Sequence, residues 1–140
     1  MSCALCAPVL ETPVLRVSRR WRVALNRNQN LLGKTIVVLR RHEEALTRLS
    51  SEEWSELHAE LAWVTERLLA AFAPDHFNYA FLQNQDRHVH LHVIPRYASA
   101  RTVAEAVFED DAYPDHYVPG EERRLDPALI GTVAAALGGP

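Results

Sequence analysis

A chain of 140 residues suits one ordinary domain that buries roughly two-thirds of its unfolded surface, so neither disulfides nor a metal is needed merely to complete a core. A composition of 48% hydrophobic and 24% charged residues argues against disorder, and 15 basic against 18 acidic residues, formally -3, argues against a nucleic-acid polymer as partner. A small anionic ligand remains open, because only its own pocket must be positive.

Residues 1–10 lack the basic start and apolar core of a signal peptide, and no segment approaches about 18 uninterrupted apolar residues, so a cytoplasmic chain with no membrane contact is expected. Cys3 and Cys6 are the two cysteines, and in a reducing compartment their spacing suggests a metal half-site or a redox pair before a structural disulfide. Residues 14–17 and 21–25 are short β-like runs that predict a hairpin. Residues 26–30, Asn-Arg-Asn-Gln-Asn, predict a loop, and Gly33 precedes the β-branched run 35–39, a central strand with two apolar faces.

Ser50 and Glu53 have capping-box spacing, and Trp54, Leu57, Leu61, Val64, Leu68 and Phe72 recur at helical intervals, so one long helix is predicted up to Ala73, before Pro74. Residues 77–82 predict a strand with Phe77, Tyr79 and Phe81 on one face, and 83–87 predict a turn. Residues 88–94 then form its antiparallel neighbour, which Pro95 should stop. Five antiparallel strands and a principal helix describe an α+β domain spanning 1–140, with a core over about 3–97. The remainder reads as an arm with an ordered loop at 110–117 and a short helix over about 126–137. Arg96 is expected to be solvated beside a packed Tyr97.

A strand alternates its side chains, so His88, His90 and His92 share one face, about 6.6 Å apart, while Val89, Leu91 and Val93 share the other. Spacing alone leaves three uses for such a row: a metal site, a structural or ligand-binding polar face, or nucleophilic and proton-transfer chemistry. A neutral imidazole at His90 can attack phosphorus through one ring nitrogen if a carbonyl holds the other protonated, with His92 contacting phosphate oxygens and relaying a proton.

The run His88-Val89-His90-Leu91-His92-Val93-Ile94 resembles the signature of the histidine triad (HIT) family. The segments around Asn26, Leu32-Gly33, Val37 to His42 and Leu49-Ser50 resemble its landmarks in the same order, over roughly residues 3–97. The tail resembles a bacterial branch of small members akin to diadenosine polyphosphate hydrolases. The resemblance implies an α+β fold whose five-stranded sheet joins its twofold mate in a homodimer, and action on nucleoside phosphates and their conjugates. It implies His90 as nucleophile on the α-phosphorus, His92 as its orienting and proton-handling partner, and His88 as the first triad histidine. It also implies Asn26 on the nucleotide ribose and either Gln83 or Asn84 on phosphate. Cys3, Cys6, His42 and His88 resemble the structural zinc site of bacterial members and of the related galactose-1-phosphate uridylyltransferases.

The function so implied is a nucleotide hydrolase cleaving at the α-phosphate of nucleoside polyphosphates, dinucleoside polyphosphates or nucleoside phosphoramidates. Two alternatives stand beside it: a nucleotidyltransferase or phosphorylase with phosphate or a sugar phosphate as acceptor, and a catalytically weak nucleotide-binding regulator.

Overall fold

The computed structural model describes residues 3–138. Strands β1 (Val14–Val17), β2 (Trp21–Leu25), β3 (Thr35–Leu39), β4 (His76–Ala80) and β5 (His90–Arg96) form one antiparallel sheet in the order β1-β2-β3-β5-β4. Helix α1 (Ser51–Phe72) covers one face, and α2 (Pro127–Ala136) joins the same apolar core through Val133 and Ala134. This is the expected α+β architecture.

Alternation in β2, β3 and β5 divides the molecule. Val23, Val37, Leu91 and Val93 meet Leu57, Val64 and Leu68 of α1 on the covered face. The opposite face carries Ala24, Ile36, Val38, His90 and His92, and the N-terminal segment lays Leu5 and Leu10 over part of it. Gly33 opens β3 at φ 84°, and a Cβ there would stand 2.6 Å from a Leu68 methyl, so this turn needs glycine both for its backbone and for the approach of α1.

The capping box is present: Ser50 Oγ accepts from the Glu53 amide, and Glu53 Oε1 accepts from the Ser50 amide. One stripe position departs from expectation: Trp54 is 42% exposed, whereas Glu60, off the stripe, is 1% exposed and faces Arg16 at 3.1 Å.

Strand boundaries also shift. His88 precedes β5, and Val89 accepts from the Leu39 amide in the β3 register while its own amide donates to the Glu43 carbonyl outside the ladder. Pro95 does not stop the strand. Pairing with β3 ends at Val93 while β4 continues alongside to Arg96, so the proline lies where the strand has a neighbour on one side only and a missing amide is tolerated. β4 spans 76–80 rather than 77–82, its last rung pairing Ala80 with His92. The arm, expected to be irregular before its helix, contains a hairpin of β6 (Arg101–Val103) and β7 (Ala106–Phe108), turned by Ala104 and Glu105 at positive φ. Arg96 is buried, not solvated: Asp110 pairs with its Nε at 2.7 Å, and Asn78 and the Asp115 carbonyl accept from its other nitrogens.

Candidate active site and metal centre

β5 presents His90 and His92 side by side on the outer sheet face, opposite Val38 and Ile36, with ring centroids 4.9 Å apart. Both line a cleft of about 650 Å³ with Asn26, Gln83 and Asn84. The N-terminal segment forms one wall through Leu5, Leu10 and Thr12, and the arm forms another through Tyr117 and Pro119.

Hydrogen bonding determines the ring tautomers. His90 Nδ1 lies 2.7 Å from the His88 carbonyl, which can only accept, so Nδ1 carries the proton and Nε2 keeps its lone pair. Asn26 Oδ1 accepts from the Asn28 amide at 2.9 Å, which orients the side-chain amide so that Nδ2 donates to His92 Nδ1 at 3.4 Å. His92 therefore carries its proton on Nε2. Burial, then the neighbouring His90, then Lys34 push the His92 pKa down to about 4, so at neutral pH this ring is an uncharged hydrogen-bond donor.

Asn26 itself is held by a buried glutamine that sequence reasoning passed over as loop. Gln29 donates from Nε2 to the carbonyls of Asn26 and Lys34, and its Oε1 accepts from the Gly33 amide. The polar pattern of 26–30 signalled a loop, but which polar side chain would turn inward to close it depends on the approach of β3.

Of the two phosphate candidates, Gln83 spends its amide donors on the carbonyls of Glu44 and Arg87, which leaves Asn84 as the one of the pair with a free donor. His116 is exposed and does not line the cleft, whereas Tyr117 does.

Cys3, Cys6, His42 and His88 converge so that their ligand atoms all lie within 4.8 Å of one another. Cys3 Sγ is 3.4 Å from His88 Nδ1, and Cys6 Sγ is 3.3 Å from both His88 Nδ1 and His42 Nδ1. Edges of roughly 3.4–3.8 Å are those of a tetrahedron about zinc with ordinary Zn–S and Zn–N bonds. The outer nitrogens fit as well. His88 Nε2 donates to the Leu39 carbonyl at 2.6 Å and His42 Nε2 meets Glu44 Oε2 at 3.1 Å, so both Nδ1 atoms face inward as ligands. Burial lowers the His88 pKa despite the Leu39 carbonyl, which favours the neutral, ligating ring. Two thiolates and two imidazoles suit zinc by donor type, so the residues fit the metal. Arg22, inside β2, donates to the carbonyls of Leu5 and Pro8 and ties the same segment to the sheet.

No protein-family model and no curated protein sequence matches the chain. Solved structures do. A histidine triad protein from Marinobacter aquaeolei is 25% identical over 91% of this chain and 86% of its own, with a TM-score of 0.73. A histidine triad protein from Sinorhizobium meliloti is 20% identical over 90% and 86%, also with a TM-score of 0.73. A Zn-bound histidine triad family protein from Mycobacterium smegmatis is 21% identical over 97% and 93%, with a TM-score of 0.60.

Proposed function

We propose that this chain, which has the histidine triad fold, is a nucleotide hydrolase acting at the α-phosphate through a nucleotidyl-His90 intermediate. The observation that carries this reading is the hydrogen bond from His90 Nδ1 to the His88 carbonyl, which leaves an unprotonated Nε2 on a ring lining the cleft. In the first step Nε2 bonds to the α-phosphorus while the bond from phosphorus to the leaving oxygen breaks and its electron pair departs with that oxygen. Water then attacks phosphorus, the N–P bond breaks with its pair returning to Nε2, and the water proton passes to solvent, releasing the nucleoside monophosphate.

His92 donates from Nε2 to a non-bridging oxygen as charge accumulates there. A ring with its basicity so reduced is a better donor than acid, which narrows the proton-relay role expected for it. Polyphosphate leaving groups, stable as anions, suit such a site better than amines do. Asn26 takes the ribose as well as orienting His92, and Asn84 takes phosphate.

Cys3, Cys6, His42 and His88 would hold a structural zinc, which when bound fixes the His88 backbone and the N-terminal wall of the cleft. The M. smegmatis structure, a Zn-bound protein, supports this reading. A homodimer through the edge strand β4 completes the proposal, supported by the open side of β4 and by Tyr79, Leu82 and Trp54, each more than 40% exposed around it.

Incubation with nucleoside polyphosphates, dinucleoside polyphosphates and phosphoramidates, with and without inorganic phosphate as acceptor, tests the function. Turnover by the wild type should fall at least about a hundredfold in His90→Ala, and a nucleotidyl-protein should be trapped on rapid quench of the wild type only. Equal turnover by the two proteins would refute His90 as nucleophile.

A further inference from the structure

Lys34 is a buried cation that makes no direct contact in the steps proposed at His90 and His92. It is 5% exposed and lines the cleft. Its Nζ donates to Asn30 Oδ1 at 2.9 Å and to the Tyr117 hydroxyl at 2.7 Å, and stands 5.1 Å from the centre of the Tyr117 ring. Those partners are neutral. Among the described residues no carboxylate reaches ion-pairing distance of Nζ. A buried ammonium without a counter-charge is costly to hold, and two of its three donors are occupied, so the third is available to an oxyanion entering the cleft.

The register says which part of a substrate that oxyanion belongs to. Thr35 pairs with Val93, so Lys34 stands opposite Ile94, beyond His92 and on the same outer face. His90 lies four residues away along β5, about 13 Å of strand rise. Asn30 and Tyr117 draw Nζ toward the arm side of the cleft, and Asn26 is the immediate neighbour of Lys34 on the β2 side, its backbone amide donating to the Lys34 carbonyl. With the α-phosphorus at His90 and the ribose at Asn26, Lys34 faces the nucleoside half of the ligand.

We propose that Lys34 is a specificity-determining anion contact, and that the site takes nucleotides bearing a second phosphate on the 2′ or 3′ oxygen of the ribose. Tyr117 and Asn30 position the ammonium, so the C-terminal arm takes part in the selection. The proposal rests on the nucleotide reading of the cleft.

Calorimetric titration of the full chain with nucleoside 5′-monophosphates, 2′,5′-bisphosphates and 3′,5′-bisphosphates of adenosine, guanosine and uridine tests it. The wild type should bind one bisphosphate series about tenfold or more tightly than the matching monophosphate. That advantage should vanish in Lys34→Met and Lys34→Gln, and persist largely in Lys34→Arg. Circular dichroism identifies folded variants, and the glutamine variant serves if the methionine one unfolds. Bisphosphates that bind no better than monophosphates, or an advantage that survives both neutral substitutions, would overturn the proposal. Equal losses for mono- and bisphosphates would move Lys34 to the 5′-phosphate and overturn the ribose assignment. A wild type that binds none of these nucleotides would refute the nucleotide reading itself.

Discussion

His92 shows how far a single residue's chemistry follows from its neighbours. Its place on the outer face follows from alternation, but its tautomer depends on Asn26, and its low pKa depends on burial beside His90 and Lys34. Because the folded pKa of about 4 lies below the ordinary value of 6.5, the unfolded chain binds a proton here more readily between those values. The stability from the neutral ring is complete above pH 6.5 and is lost as pH falls toward 4. Urea denaturation at pH 7 and pH 5 should therefore show a smaller loss of stability on acidification in His92→Gln than in the wild type. Identical losses in the two proteins would mean that His92 titrates normally in the fold.

At the scale of elements, the N-terminal segment is the part whose role changes most between chain and fold. Its C-x-x-C spacing is visible in the sequence, as is a histidine after the central strand, yet neither reveals that Leu5 and Leu10 will lie on the sheet and wall the cleft. Cys3, Cys6, His42, His88 and Arg22 converge on that wall, so removing a metal bound by the first four should loosen the cleft as well as the terminus. Purified protein is expected to carry about one equivalent of zinc, and Cys6→Ala to lose most of it with a lower melting temperature. Zinc content unchanged by that substitution would remove Cys6 from the site. The β6–β7 hairpin was not legible because Ala104 and Glu105 lack the Asn-Gly or Asp-Gly chemistry that advertises a two-residue turn.

For the whole molecule, the open edge of β4 sets the question of assembly. An edge strand with exposed apolar neighbours is a surface that pairs readily, and Trp54, displaced from the helix stripe, packs edge-on to Phe81 at 6.2 Å beside it. Sedimentation equilibrium at micromolar concentration should give a dimer, and Tyr79→Lys should shift it toward monomer by charging the seam. A wild-type monomer under those conditions would sink the assignment. Arg96 acts at the same scale: buried with Asp110, it anchors the arm that carries Tyr117 to the end of the histidine strand. Sequence placed it in solvent because its partner lies fourteen residues away, across a hairpin that the pattern did not show.

Local periodicity and local chemistry were sufficient for the strands of the main sheet, the capped helix and the shared face of His90 and His92, since each depends on spacing within one element, while the four metal-ligand candidates came from the family resemblance. Tertiary structure alone decided the rest. The tautomer of His90 needs the His88 carbonyl at a fixed distance, Glu60 and Arg96 need distant partners to be buried, and Lys34 gains its position only when β3, the 26–34 loop and the arm close around it. Such properties belong to groups brought together from separate parts of the chain, and no single stretch of sequence carries them.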